Sequence, residues 1–344
     1  MKENALKPIA SSVLPSFSIT SSLPIRAAWC GALGVLLACS HALAQPDSYP
    51  SKPITIVVGY PAGGSTDLNG RVLGAELSRK LGVPVVIDNV GGAGGAIGAQ
   101  KVANAAADGY TLLVGASNEI AISRLVSSSV KYDFKDFTPI GLIATQPMVL
   151  VASQKSGVKT VEQFLRQVSQ NPGKYSYGSS GVGTALHLAG EMVKDQGGLF
   201  MTHIPYRGVA PLANDLLGNN IDFGVFVMSS GLPHIRSGKV VALGTTEARR
   251  SPLTADIPAL AETPKLKGID INIWFALMGP ARMPEPVVAK LKKALNDSLQ
   301  TIELRKKLED SGSTVSPLDV NMPAFMKQET AKYQRIVDFA KIKE

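Results

Sequence analysis

"ITIVVGYPAGGSTD", residues 54–67, is the stretch on which the reading of this chain turns. Ile54, Ile56, Val57 and Val58 form the β-branched apolar run of a strand buried on both faces. Tyr60-Pro61 and the pair Gly63-Gly64 break that run, and Ser65-Thr66-Asp67 is the kind of cluster that starts a helix. Strand, tight turn and helix start together make the repeating unit of α/β layers. Glycines let a backbone approach another object closely, and the free N–H groups at a helix start favour an anion.

Working outward, a helix is expected over 67–81 with Leu68, Val72 and Ala75 on one face and Gly82 as its stop. A strand over 85–88, the loop "NVGGAGG", a helix over 97–105 and a strand over 110–115 follow. A second series begins near Met148. Thr160 with Gln163 makes a capping box for a helix that "NPG" ends at 171–173. The strand 175–179 runs into "SGVGT", and a helix over 185–194 presents Ala185, Leu188, Ala189 and Met192. A helix over 212–217 and strands over 221–226 and 240–245 complete the series, and the segments 286–309 and 323–342 read as outer-layer helices. The alternation predicts an α/β class with mostly parallel sheets, in which ligands bind at the C-terminal edge of the strands. Ser179, Gly181, Gly183 and Thr184 repeat the neutral donors of the opening stretch, and two facing sets of this kind suggest a cleft.

The length of 344 residues, with 45% hydrophobic and 18% charged positions, suits one large domain or two ordinary ones and excludes disorder. At the N-terminus "AAWCGALGVLLA" follows Lys2, Lys7 and Arg26. It is too short to span a membrane and fits the core of a signal peptide, with cleavage expected after Ala44. The expected destination is the periplasm, with a lipid anchor at Cys39 as the minor alternative. Both cysteines, Cys30 and Cys39, fall in that segment, so the processed chain has no disulfide and no thiolate chemistry. The net charge of +8 falls to +6 with the loss of Lys2, Lys7, Arg26 and Glu3. No dense basic tract with interleaved aromatics indicates nucleic acid.

Motifs for chemistry are largely missing. No GxxxxGK[ST] occurs, and "GGAGGAIG" has Ile97 where a dinucleotide fingerprint needs its third glycine. "GSSGV" ends in Val182, which fails the serine-hydrolase elbow. His187, His203 and His234 lie outside any HExxH, and His187 with Glu191 supplies only two of the ligands a metal needs. No cofactor, metal or catalytic residue is expected.

Several collinear segments, among them "YPSKPITIVVGYPAGGSTD", "DNVGGAGGAIGA", "NPGKYSYGSSGVGTALHLAGE", "HIPYRGVAPLANDLLGNNIDFG" and "LPHIRSGKVVALGTT", closely resemble the Bug-type receptors, the substrate-binding proteins of tripartite tricarboxylate transporters. The likeness runs from about Tyr49 to the C-terminus. It implies a two-lobed periplasmic binding protein fold of type II, the Venus flytrap, each lobe a mostly parallel sheet flanked by helices. The expected organisation is a signal peptide at 1–44, lobe 1 at 45–148, lobe 2 at 149–273, and a return to lobe 1 at 274–344. The function implied is that of a non-catalytic solute receptor that delivers a small organic carboxylate to membrane transporter subunits. An exported hydrolase or lyase, or a sensory co-receptor, are the alternatives.

Carried over residue by residue, the resemblance places Tyr60, Ala62, Gly63, Ser65 and Thr66 in the first-lobe loop, with Asn118 and Gln146 lining the same lobe and Ser179, Gly183, Thr184 and His187 facing them. The threonine hydroxyls and main-chain donors would accept the carboxylate, and Asp67 would cap its own helix. Phe226 and Met228 replace the acceptor that an amino-acid ligand would need, which favours di- or aromatic carboxylates over amino acids. A core role for Phe226 is the equal alternative.

Overall fold

A computed structural model describes residues 49–342 and Ser16. The signal-peptide expectation lies outside these residues. The first half opens with β1 (Ile54–Val58), α1 (Ser65–Leu81), β2 (Val85–Asn89), α2 (Ala96–Ala103) and β3 (Thr111–Ala116). A π-helical turn, Asn118–Ile122, leads to the 17-residue β4 (Phe137–Ser153). The second half contains α3 (Val161–Gln170), β5 (Ser176–Ser179), α4 (Ala185–Gly197), β6 (Thr202–Pro205), α5 (Val209–Leu217), β7 (Phe223–Val227), α6 (Met228–Arg236) and β8 (Val240–Thr245). The chain returns through β9 (Asn272–Pro280), α7 (Glu285–Leu299), α8 (Ile302–Asp310), β10 (Thr314–Val315) and α9 (Met322–Ala340).

The strands run in the order β2-β1-β3-β9-β4-β7-β5-β6, with β8 and β10 also paired to β4. Pairing is parallel among the outer strands of each half, β2-β1-β3 and β7-β5-β6. It is antiparallel wherever β4 or β9 takes part, so the mostly parallel expectation resolves into two parallel wings on a mixed centre. β4 joins the two wings. Its first part, through Pro147, pairs with β9, and from Met148 onward it pairs with β7 and β8. Proline has no N–H for a ladder and belongs at edges and irregularities of a sheet. Both prolines of β4 obey this, Pro139 at a register shift against β9 and Pro147 at the change of partners.

α1 ends as expected, with Gly82 at φ 72 closing the last turn. Its inward face differs from the expected one. Leu73 and Leu77 are fully buried together with Gly70 and Gly74, whereas Leu68 and Val72 are half-buried and Ala75 is exposed. The glycines are the cause. A Cβ on Gly70 would lie 2.9 Å from Val58 Cγ2, and one on Gly74 would lie 3.1 Å from Ile87 Cδ1, so the helix rests on β1 and β2 along its smallest residues. In the second half Phe164 of α3 meets Phe223 of β7 edge-on at 4.8 Å, fixing that helix to the sheet. These contacts hold the strand ends, and the loops that leave them, at the edge where the cleft opens.

Candidate functional site

Three helix N-termini converge on one cleft of about 470 Å³. α1 starts at Gly64, α5 at Gly208 and α6 at Val227, and none of these residues offers a capping side chain. A helix start leaves its first N–H groups without intrahelical acceptors and carries the positive end of the helix dipole. Ser65 and Thr66 from α1, Val209 and Ala210 from α5, and Ser229 and Ser230 from α6 line the space. The Ser230 hydroxyl is buried and has no hydrogen-bond partner among the described residues. Leu186, Pro211 and Phe226 add apolar wall. Among the described residues the titratable lining consists of Arg207 and His234, beside Tyr60, with no Asp or Glu. Such a site offers donors to an anion and no counter-charge to a cation.

The loop before α1 is braced from behind. Asp67 turns back to accept the Gly63 N–H at 2.9 Å, Arg71 Nε at 2.9 Å and Asn89 Nδ2 at 2.9 Å, while Asn89 Nδ2 also reaches the Tyr60 carbonyl. Burial opposes ionisation of Asp67, but the bonds from Arg71, Gly63 and Asn89 outweigh it and hold its carboxyl below the usual range. Its work is to shape the turn.

Tyr60 and Asn118 form a second brace that crosses the cleft. The Tyr60 hydroxyl donates to the Gly94 carbonyl at 2.6 Å and accepts from Asn118 Nδ2 at 2.8 Å. Asn118 Oδ1 in turn accepts the Ala185 N–H at 2.7 Å. Glu119 lies 3.2 Å from the same Tyr60 oxygen, and burial pushes its carboxyl up to about 7. The phenol of Tyr60 is held well above its ordinary value by burial and by Glu119.

The start of α4 differs from the other three. The Thr184 hydroxyl accepts the His187 N–H at 3.4 Å and donates to the Gly181 carbonyl at 2.8 Å. Asn118 takes the Ala185 N–H, and His187 Nδ1 accepts the Gly183 N–H at 3.1 Å. That last bond requires Nδ1 to be unprotonated. Burial agrees, lowering the His187 imidazole to about 4 against the opposing pull of Glu191. His203 stacks on His187 at 3.9 Å, is lowered by burial to about 3, and shares a 2.7 Å hydrogen bond with the Ser179 hydroxyl. The N–H groups of Gly183, Ala185 and His187 are therefore already engaged by the protein itself.

The expected site residues separate accordingly. Tyr60, Ala62, Gly63, Ser65, Thr66, Asn118 and Phe226 line the cleft. Gly183 and Thr184 line an adjoining chamber of about 820 Å³, which shares Tyr60, Pro61, Ser180, Arg207 and Gly208 with it. Gln146, Ser179, His187 and Met228 line neither. Gln146 is buried between Ser229 and the 311–313 turn, Ser179 and His187 lie behind the Gly-Thr loop, and Met228 packs on Gly312. Phe226 is both core and wall, 2% exposed with its ring 6.4 Å from that of His234. Arg207, Val209, Ser229, Ser230 and His234 are lining residues that the sequence reading passed over. The readable signal was a helix start whose preceding residue cannot cap, as in "YRGVAP".

Comparison with known proteins follows the same lines. The family model described as "Tripartite tricarboxylate transporter family receptor" matches residues 70–341. Protein BugT of Bordetella pertussis is 33% identical over 286 residues, covering 82% of this chain and 87% of BugT. Among solved structures, the periplasmic binding protein BugD is 32% identical with a TM-score of 0.81, covering 86% of this chain and 99% of BugD. An R. palustris protein solved with adipate is 30% identical with a TM-score of 0.82, over the same 86% and 99%. These relatives are solute receptors rather than enzymes, which sets aside the hydrolase and lyase alternatives.

Proposed function

The chain belongs to the tripartite tricarboxylate transporter receptor family, and from that premise we propose that its cleft takes a small organic carboxylate and presents it, outside the cytoplasm, to the membrane subunits of such a transporter. The observation that carries this reading is the meeting of three uncapped helix starts in a cleft whose lining contains no Asp or Glu. The carboxylate binds at the N–H groups of α1, α5 and α6 and at the hydroxyls of Ser65, Thr66 and Ser230, the Ser229 hydroxyl being given to Gln146, as anions do at helix N-termini. The relative solved with adipate supports a carboxylate.

The remainder of the ligand is apolar or carries a second carboxylate. An ammonium would lie among donors, Arg207 and His234, and burying it unpaired costs several kcal/mol, on the order of 2–7 even for a neutral polar group. Di- and aromatic carboxylates are therefore favoured over amino acids, with Phe226 as the apolar wall. Lobe 1 comprises 45–148 and 274–344 and lobe 2 comprises 149–273, a division supported by the change of partners in β4 after Pro147 and by the start of β9 at Asn272. Residues 1–44 act as the export signal. A ligand that contacts both lobes favours the closed form by its extra affinity for it, and closure is what the membrane subunits read.

Thermal-shift screening against adipate, malate, benzoate and glutamate tests the reading. A ligand at about 100 times its Kd stabilises by roughly 2.7 kcal/mol. Shifts with the first three and none with glutamate are expected. A shift with glutamate alone would overturn the exclusion of amino acids, and no shift with any would overturn the carboxylate site.

A further inference from the structure

α6 carries Ser229 and Ser230 into the cleft, yet its first turn is mounted on a part of the chain outside it. Gln146 is 1% exposed and is the penultimate residue of β4 before the strand changes partners. Its Oε1 accepts from the Ser229 hydroxyl at 2.9 Å. Its Nε2 donates to the Ser311 carbonyl and to the Ser313 hydroxyl, both at 2.9 Å. Both hydrogens of the amide are thus engaged, and the carboxamide can take only one orientation.

The segment it reaches is the tight turn between α8 and β10. Ser311 and Ser313 both donate their N–H to the Leu308 carbonyl, and Gly312 donates to Glu309. β10 then pairs with Ala144 and Thr145 of β4, which anchors the turn beside Gln146. Met228, the first residue of α6, packs against the same turn. A Cβ on Gly312 would lie 2.5 Å from Met228 Cγ, at a φ of +82. The first two residues of α6 are therefore seated on one turn, Met228 by packing and Ser229 through Gln146. Among the described residues Gln146, Ser311, Gly312 and Ser313 line neither chamber.

We propose that the 311–313 turn, acting through Gln146, is a positioning site that sets the direction of the α6 donors in the cleft and thereby the affinity for the solute. Hydrogen bonds weaken steeply as donor and acceptor lose alignment, and a fully satisfied buried polar network holds its members in one arrangement. The proposal rests on the carboxylate reading for what the donors face. The mount itself is independent of that reading.

The test is a double-mutant cycle on the full chain with two readouts. Gln146→Met should raise the Kd for adipate about ten-fold. Ser313→Ala, remote from the cleft, should raise it about three-fold, in keeping with the loss of one hydrogen bond. The double variant should match Gln146→Met alone, because the two act through one path. Independent addition of the two effects, or an unchanged Kd in both single variants, would overturn the proposal. If Gln146→Met does not fold, Ser313→Ala alone decides by its effect on Kd. Hydrogen exchange without ligand supplies the second readout. Amides 232 and 234–236 of α6 should exchange several-fold faster in Ser313→Ala while those of α3 are unchanged, and equal rates would overturn the mount. If the wild-type chain binds no adipate, the carboxylate reading fails, and the exchange measurement still decides the mount.

Discussion

The starts of α1 and α4 look alike in sequence and differ in chemistry. "PAGGST" and "SGVGT" are both glycine-rich, both follow a strand and both lead into a helix. Before α1 the residue preceding the helix is Gly64, which cannot cap, and the first turn faces a cleft. Before α4 it is Thr184, whose hydroxyl caps the turn, while Asn118 from the turn after β3 takes the next N–H. Glycine makes close approach feasible, but the capping residue decides whether the donors remain free for a ligand. One loop leaves its donors facing the cleft and the other spends several of its own within the protein.

The most severe test of this contrast is to turn the first loop into the second. Gly64 has φ −83 and ψ 173, the extended geometry of a capping residue, and an added Cβ would meet nothing nearer than Pro61 O at 3.8 Å and Val209 Cγ2 at 3.9 Å. Gly64→Asp should cap α1 and place a carboxylate where the ligand's own would go. Titration calorimetry should show affinity for adipate falling roughly 100-fold, or about 2.7 kcal/mol, while chemical denaturation shows stability held or raised by a few tenths of a kcal/mol. Retained affinity would break the comparison.

The reverse change is milder. Thr184→Ala removes a cap from a helix start whose Gly183, Ala185 and His187 N–H groups are engaged within the protein, so it should cost about 1 kcal/mol of stability and leave the Kd within about two-fold. A large loss of affinity with little loss of stability would return Thr184 to the ligand site. The smallest expected effect concerns His187. With its imidazole lowered to about 4 by burial, it stays neutral between pH 8 and 5, and the Gly183 N–H keeps its acceptor. The sign follows from linkage. The unfolded chain takes up the proton near 6.5 and the folded one only near 4, so the stability this group provides is present above 6.5 and is lost as pH falls through that window. An NMR titration of His187 with a midpoint near 6.5 would show that its ring is not held behind the loop.

Much of the fold was legible. β1, β3, β5, β7 and β8 are bounded by glycine, proline or polar clusters, and their positions follow from those boundaries within a residue or two. The centre was not. β9 is buried along almost its whole length and β4 along much of its own, so neither shows the alternation that marks a strand with one solvated face. β4 also contains two prolines, which argue locally against a central strand. Only the long-range pairing of β4 with β9 explains both.

In the site, the loop from Tyr60 to Thr66 was readable because its glycines and hydroxyls are contiguous. Ser229, Ser230 and His234 were not, because nothing in "VMSSGLPHI" marks α6 as starting at the cleft wall rather than in the core. Gln146 and Met228, expected among the ligand-binding residues, lie behind the start of α6, where they support it.

Pro147 gives β4 a mechanical property. At Pro147 there is no N–H for a ladder, and the next amide, Met148, donates to the Thr246 hydroxyl at 3.0 Å, which is itself held by donating to the Ile271 carbonyl at 2.6 Å. The Thr246 N–H returns to the Met148 carbonyl at 2.9 Å, so both polar backbone groups of Met148 are held by one residue. The change of partners in β4 is thereby a clamped crossing rather than a slack one.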